Sequence, residues 1–337
     1  MKDDSWLSKQ LGKPYRLVGL VVAAAILSAG ALVGMAATVG FGEVWRRLVF
    51  PHWYWLPIAV AGEVVAYLGY VVAYREVVRA EKGLELEVPH VAALVATGFG
   101  VFLQGGGFAL DRAALQRAGL SAQEARERVL GLGTLEYAVL APATLVASGF
   151  LLAEKGGKID QSITLSWVIG VPVGTAIAFL ALRHRNTFRR KGWRMHVYAS
   201  LCAIRLLFRL LRQPLRAAVA LAGIAVYWLG DIFCLWAALH AFYAHTPPVT
   251  PLLVAYASGY ALTRRALPIG GAGIVEALLP FALGAVAIQR APAVLAVGAY
   301  RIINLWLPMI PALAGIPALR KLERRRPTRR RPALGRR

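Results

Sequence analysis

"ALTRRALPIGGAGIVEALLPFAL", residues 261–283, lies deep in the apolar second half of the chain. Two arginines, a Pro-x-Gly-Gly-x-Gly run and a glutamate interrupt what would otherwise be a plain membrane helix. Charge and broken backbone are both costly in hydrocarbon, where no water replaces a lost hydrogen bond. The fold must therefore bury Arg264, Arg265, Gly270, Gly271, Gly273 and Glu276 in protein or set them around a wet cavity.

The surroundings place this segment in a membrane. The 337 residues are 58% apolar, with nine tryptophans and a mean hydropathy of +0.56, where soluble domains run at about 45–50% apolar. Windows of about twenty apolar residues fall near 17–40, 53–74, 128–153, 163–182, 216–243, 249–265, 268–288 and 293–317. The sequence thus predicts an all-α polytopic membrane protein of about eight transmembrane helices. The first apolar run is too long for a signal-peptide core and reads as a retained helix. Cys202 and Cys234 lie in or beside apolar helical sequence and fit neither a disulfide framework nor a metal site.

The net charge of +22 would fit a nucleic-acid binder until it is located. Residues 183–216 hold ten Lys/Arg and no acid, and residues 320–337 hold ten more against Glu323. Both segments flank helix ends, where such an excess marks the cytoplasmic side and attracts anionic headgroups. This favours the membrane surface over nucleic acid. Within 183–216, from "WRMHVYASLCAIRLLFRLLR" (193–212) onward, Arg205, Arg209, Arg212 and Arg216 recur at helical spacing, with Leu201, Phe208 and Leu211 on the other side, so the segment reads as an amphipathic helix on the inner leaflet. Residues 1–16 read as a cytoplasmic N-terminus and 17–318 as one transmembrane domain, with halves 17–182 and 216–318 joined by the basic segment 183–215. Residues 319–337 read as a disordered basic tail.

The segment "VAALVATGFGVFLQGGGFAL" (91–110) is apolar but holds five glycines, each unfavourable in a helix by about 1 kcal/mol. If it crossed the membrane, the basic 183–216 loop would lie outside; if it dips in and returns, every basic segment falls inside. It therefore reads as a re-entrant hairpin, and both termini as cytoplasmic. Residues 93–115 also echo residues 253–279: Thr97-Gly98-Phe99 matches Ser258-Gly259-Tyr260, a glycine cluster follows, and then an acid, Asp111 or Glu276. Paired interrupted segments in corresponding halves point to a binding site at the interface of inverted repeats. A broken helix exposes amides and an N-terminal dipole end, which attract an anion such as a phosphate. Two readings of Arg264 and Arg265 stand: added positive charge at that site, or anchors at the cytoplasmic interface between two helices.

Charged groups within spans are Glu63, Glu136, Asp231, Glu276 and Arg301. Glu63 and Asp231 read as packing of the bundle; Glu136, Glu276 and Arg301 read as functional. Here a family comes into view. "LPIGGAGIVEALLPFALGAVAIQRAPAVLAVGAYRIINLWLPMIPALAG" (267–315) resembles the flippase-like family of the lysylphosphatidylglycerol synthase transmembrane domain, whose second half runs P-x-G-G-x-G-x-x-E, a span, Tyr-Arg and an apolar helix with proline. Those residues here are Pro268, Gly270, Gly271, Gly273, Glu276, Tyr300, Arg301 and Pro308. The first half matches more loosely. Glu136 takes the Asp position of the family's Glu-Arg-x-x-Asp element, with Leu132 and Gly133 in place of Glu-Arg. Asp111 and Arg112 in "GGGFALDR" are approximate counterparts of its Gly-Gly-Glu-x-x-Arg element.

The resemblance implies a two-halved bundle in the bacterial cytoplasmic (inner) membrane that moves a lipid between leaflets. The chain leaves about twenty residues after its last predicted span, so no fused aminoacyl-transferase is expected. The expected substrate is an anionic or modified phospholipid or an isoprenoid-type lipid, and neither cofactor nor metal is expected. Expected partners are membrane lipids, through anionic headgroups, and an enzyme of lipid biosynthesis; the oligomeric state is open. Gly270, Gly271 and Gly273 would supply amides, Tyr300, Arg301 and Arg264 or Arg265 would face the headgroup, and Glu136 and Glu276 would hold the arginines. The alternatives are a membrane-embedded enzyme of lipid or polyprenyl-phosphate metabolism and a non-catalytic scaffold. Against the enzyme, the glycine loop carries no serine, histidine or cysteine, and the six histidines fall in neither an HxxxH nor an HxxE pattern. No Walker A motif is present.

Overall fold

The computed structural model describes residues 14–49, 51–80, 83–100, 106–154, 159–188, 193–242, 248–261 and 268–310. Among them every regular element is helical. In chain order these are α1 (Pro14–Val39), α2 (Phe41–Val49), α3 (Trp55–Arg79), α4 (Val88–Gly100), α5 (Gly106–Arg117), α6 (Ala122–Ala153), α7 (Gln161–Arg183), α8 (Trp193–Leu211), α9 (Pro214–Phe242), α10 (Val249–Tyr256), α11 (Ile274–Ala285) and α12 (Arg290–Arg301). A π turn, Ala257–Ala261, extends α10, and another, Ile302–Trp306, extends α12.

The core of the bundle is the pair α3 and α9. Gly62 and Gly69 lie two helical turns apart on one face of α3, as do Gly223 and Gly230 on α9. A Cβ on Gly69 would stand 2.6 Å from the Gly223 carbonyl oxygen, and one on Gly230 would stand 2.6 Å from Ala66 N. Small residues let two backbones touch where lipid offers no hydrophobic drive to association. Because Gly62 meets Gly230 and Gly69 meets Gly223, the two helices run antiparallel.

That seam extends the repeat read from sequence. "AGEVVAYLGY" (61–70) and "AGIAVYWLGD" (222–231) share both glycines at an offset of 161 positions, the same offset that separates Gly98 from Gly259 and Val88 from Val249. The helices after each seam helix agree in length. α4 has 13 residues and α5 has 12; α10 has 8, extended by the 5 of its π turn, and α11 has 12. In both halves the two helices pack on each other, and a Cβ on Gly259 would stand 2.6 Å from Leu279 Cα. The halves are therefore inverted copies: a long seam helix followed by a short-helix hairpin.

Among the described residues five helices are long and apolar enough to cross a membrane. The window at 293–317 runs through α12 and its π turn to the edge of the described residues. The windows at 249–265 and 268–288 hold a hairpin of short helices; at 12 residues α11 reaches only about 18 Å, against about 30 Å of hydrocarbon. α8 also differs: Leu201, Leu206 and Leu210 are buried where α8 packs on α6, so Leu201 does not share the exposed face of Phe208 and Leu211. The helix packs on the bundle by this face and leaves Phe208 and Leu211 exposed. The tail 319–337 lies outside the described residues.

Candidate functional site

The glycine loop is built by backbone geometry. Gly270, Gly271 and Gly273 have φ of +60°, +70° and +84°, a region that strains L-residues by about 1–2 kcal/mol. Pro268–Gly271 forms a 3₁₀ turn, and Gly273 precedes the first residue of α11. A Cβ on Gly273 would lie 3.2 Å from Leu27 of α1, so the loop runs hard against the first helix.

Arg301, at the end of α12, reaches back to this loop. Its Nε donates to Glu276 Oε1 at 2.9 Å and its Nη2 to the Gly270 carbonyl oxygen at 2.9 Å. Glu276 also accepts from Ser28 Oγ at 2.7 Å and from the Gly273 amide at 2.8 Å. Arg301 is 2% exposed and Glu276 0%. For Gly273 this corrects the expectation of a free amide: Glu276, in the first turn of α11, takes the Gly273 N–H itself and sits where an external anion would meet the helix N-terminus.

One residue before Arg301, the network changes partners. Tyr300 Oη donates to Asp231 Oδ1 at 2.8 Å, and Tyr256 Oη to Asp231 Oδ2 at 2.6 Å. Asn304 Nδ2 lies 3.0 Å from Asp231 Oδ1 and 3.2 Å from Glu63 Oε1, while its Oδ1 accepts from Tyr260 at 2.7 Å. Glu63 and Asp231, read as packing of the bundle, share one buried polar centre with Tyr300 and adjoin the Arg301 pair. Asn304 was missed, although it lies one turn from Tyr300.

Other predicted residues fall elsewhere. Glu136 is buried on α6, where its carbonyl oxygen accepts Trp228 Nε1 at 2.9 Å; it does not hold Arg301, whose hydrogen bonds go to Glu276 and Gly270. A helical sequence fixes the face of α6 but not the helix opposite, and that helix is α9. Asp111 is buried against Tyr74 of α3, while Arg112 is exposed. Both belong to α5, which packs beside the Pro268–Gly271 turn, so the two hairpins meet. Arg264 and Arg265 lie outside the described residues. Beside the loop, an apolar groove of about 500 Å³ runs between Ile26, Leu27, Gly30 and Ala31 of α1 and Ala272 and Ile274. Among the described residues no three His, Cys, Asp or Glu side chains converge as metal ligands.

Comparison with curated protein sequences returns no match. The family model described as the lysylphosphatidylglycerol synthase TM region matches residues 17–312, which takes in both hairpins, the seam and the Glu276–Arg301 pair. This chain, a multi-pass membrane protein, therefore belongs to the lysylphosphatidylglycerol synthase transmembrane-region family.

Proposed function

We propose that this protein is a lipid translocase. It carries an anionic or modified phospholipid, or an isoprenoid-type lipid, between the leaflets of the bacterial cytoplasmic membrane, and it performs no chemistry on the lipid. The observation that carries this reading is the meeting of two glycine-interrupted hairpins, one from each inverted half, beside buried Arg301. In transporters built this way, the interrupted helices hold the substrate at the repeat interface.

Both hairpins act as re-entrant segments, the first entering from the cytoplasm and the second from outside. With that arrangement the N-terminus, the 183–216 segment and the C-terminus all face the cytoplasm, as their basic residues require. Without lipid, Glu276 occupies the α11 N-terminus and Arg301. A phosphate headgroup offers the same sign of charge with more acceptor oxygens and replaces Glu276 on Arg301, while the groove beside α1 receives apolar chain. The partners in this scheme are membrane lipids and an enzyme of lipid biosynthesis that supplies or consumes the moved lipid.

Leaflet exchange of fluorescent anionic, neutral and aminoacylated lipids in proteoliposomes tests the proposal. Headgroup-selective exchange is the expected result. Folded protein that exchanges none of these lipids overturns it.

A further inference from the structure

α11 has two unlike faces. Glu276 and Leu283 on one are fully buried, and Glu276 holds Arg301. Ile274, Leu278 and Phe281 on the other are 43%, 41% and 69% exposed. Their spacing of four and then three residues sets them in one stripe along the helix.

A groove adjoins each end of this stripe. At the α11 N-terminus, the groove of about 500 Å³ lies against Leu27 and Ala31 of α1 and reaches Gly273. A Cβ on Gly30 in its wall would meet nothing within 4 Å, so the space is open. Toward the C-terminus a second groove, of about 230 Å³, lies between Leu278, Phe281 and Ala282 of α11 and Ser162 and Ser166 of α7. Two hydrogen bonds tie α7 to the hairpin here. Trp167 Nε1 donates to Ser258 Oγ at 2.7 Å, and the Asp160 amide donates to the Ala285 carbonyl oxygen at 2.8 Å. The second tie sets the start of α7 and the end of α11 at one membrane surface. Ser166 Oγ donates to the Ser162 carbonyl oxygen at 2.7 Å and Ser258 Oγ to that of Val254 at 2.8 Å. These hydroxyls thus turn their protons to their own helices and leave the second groove small-walled and largely apolar.

We propose that the exposed face of α11, between α1 and α7, is the portal through which the moved lipid passes sideways into the outer leaflet, its hydrocarbon chain lying in the two grooves. This rests on the translocase reading and its topology, which puts the end of α11 at the outer surface. The dimensions fit one leaflet. The 12 residues of α11 rise about 18 Å, and half of a hydrocarbon core of about 30 Å is about 15 Å. The stripe therefore runs from the glycine loop at mid-depth to the surface. Its deep groove begins at Gly273, whose amide Glu276 holds, so it is continuous with the Arg301 site. A phosphate on Arg301 has its chain beside Ile274, and the chain keeps dispersion contacts with Leu278 and Phe281 as the headgroup rises. Ile177 and Phe179, near the other end of α7, are 62% and 65% exposed and represent ordinary contact with bulk lipid.

Photolabelling and lipid exchange on the full chain test this. In proteoliposomes of neutral lipid, an anionic phospholipid with a diazirine in one acyl chain is expected to label Leu278 and Phe281. Added unlabelled anionic phospholipid is expected to suppress that labelling. Labelling of Ile177 and Phe179 by the same probe should persist, because contact with bulk lipid does not saturate. Ala31→Phe and Ser166→Phe each fill one groove and are expected to slow exchange about tenfold, the equivalent of about 1.4 kcal/mol on the barrier. Val173→Phe, at an exposed position of α7 outside both grooves, should exchange as wild type. Melting temperatures check the fold of all three. Labelling that saturates at neither place, or exchange that neither filled groove slows, overturns the portal and leaves the translocase reading standing. Saturable labelling with no exchange of any lipid by wild-type protein overturns the translocase reading and the exit route with it, and keeps the α11 face as a lipid site.

Discussion

Gly62 and Gly230 stand backbone against backbone: a Cβ on Gly230 would lie 2.7 Å from the Gly62 carbonyl oxygen and 2.6 Å from Ala66 N. The obstacle to a Cβ on Gly230 is main chain, which cannot rotate away as a long side chain can. Overpacking of a core is unfavourable by about 1–3 kcal/mol, and Gly230→Ala is expected at or above the upper end. Gly149→Ala on α6 is the control, because its Cβ meets nothing within 4 Å, and it gains up to about 1 kcal/mol of helix propensity. Thermal unfolding of both variants in one detergent checks this, and equal melting temperatures would show that the seam is not closely packed.

Arg301 and Glu276 form an ion pair at 2% and 0% side-chain exposure. Removing one partner of such a pair leaves the other charge buried and is unfavourable by about 3–5 kcal/mol. Arg301→Met is therefore expected to unfold earlier, which complicates any reading of its transport. The double variant Arg301→Met with Glu276→Gln removes both charges and is expected to recover most of that stability. It should still exchange no anionic lipid, since the headgroup has lost its cation. Exchange at the wild-type rate in the refolded double variant would assign the pair to architecture alone.

The ease of reading these residues from sequence differed for physical reasons. The Glu276–Arg301 pair was legible because charges in apolar sequence are conspicuous and the glycines before Glu276 announce a broken helix. Glu63 and Asp231 were equally conspicuous, but helical periodicity says nothing of which helix lies opposite, so their meeting was not. The signal that could have found it was in "AGEVVAYLGY" and "AGIAVYWLGD", where paired glycines seven apart mark two faces able to touch. Asn304, uncharged and flanked by isoleucine and leucine, gave only its spacing from Tyr300 and Arg301. Two of the eight apolar windows hold helices too short to cross, because hydropathy records burial in lipid or protein alike.

Gly273 has φ of +84° and ψ of −41°, and its missing Cβ faces Leu27 at 3.2 Å. Gly273→Ala adds backbone strain of about 1–2 kcal/mol and pushes α1 from the loop. Because Glu276 takes its hydrogen bond from this residue, the loop loses its hold on the carboxylate as well. The expected result is lost lipid exchange with a melting temperature lowered by a few degrees. Gly30→Ala on the same groove, with nothing within 4 Å of its Cβ, should keep both. Exchange unaffected by Gly273→Ala would mean that the loop's conformation does not matter to transport.

Arg128 offers the converse case, a buried arginine whose work is structural. It is 6% exposed; its Nε donates to the Val78 carbonyl oxygen at 3.0 Å and its Nη2 to that of Ala80 at 2.9 Å. These carbonyls end α3, where helix geometry leaves acceptors without intrahelical donors, and a cation there also meets the negative end of the helix dipole. Hydrogen bonds from a charged donor contribute about 1.5–3 kcal/mol each. Lysine lacks the guanidinium fork that serves both carbonyls at once, so Arg128→Lys is expected to lose about one such bond, and Arg128→Met both. Neither residue at the α3 terminus touches Arg301 or the glycine loop. Lipid exchange per folded molecule should therefore match wild type at a temperature well below unfolding, while the melting temperature falls in the order wild type, Lys, Met. Loss of exchange in well-folded Arg128→Lys protein would move this arginine from the scaffold into the transport path.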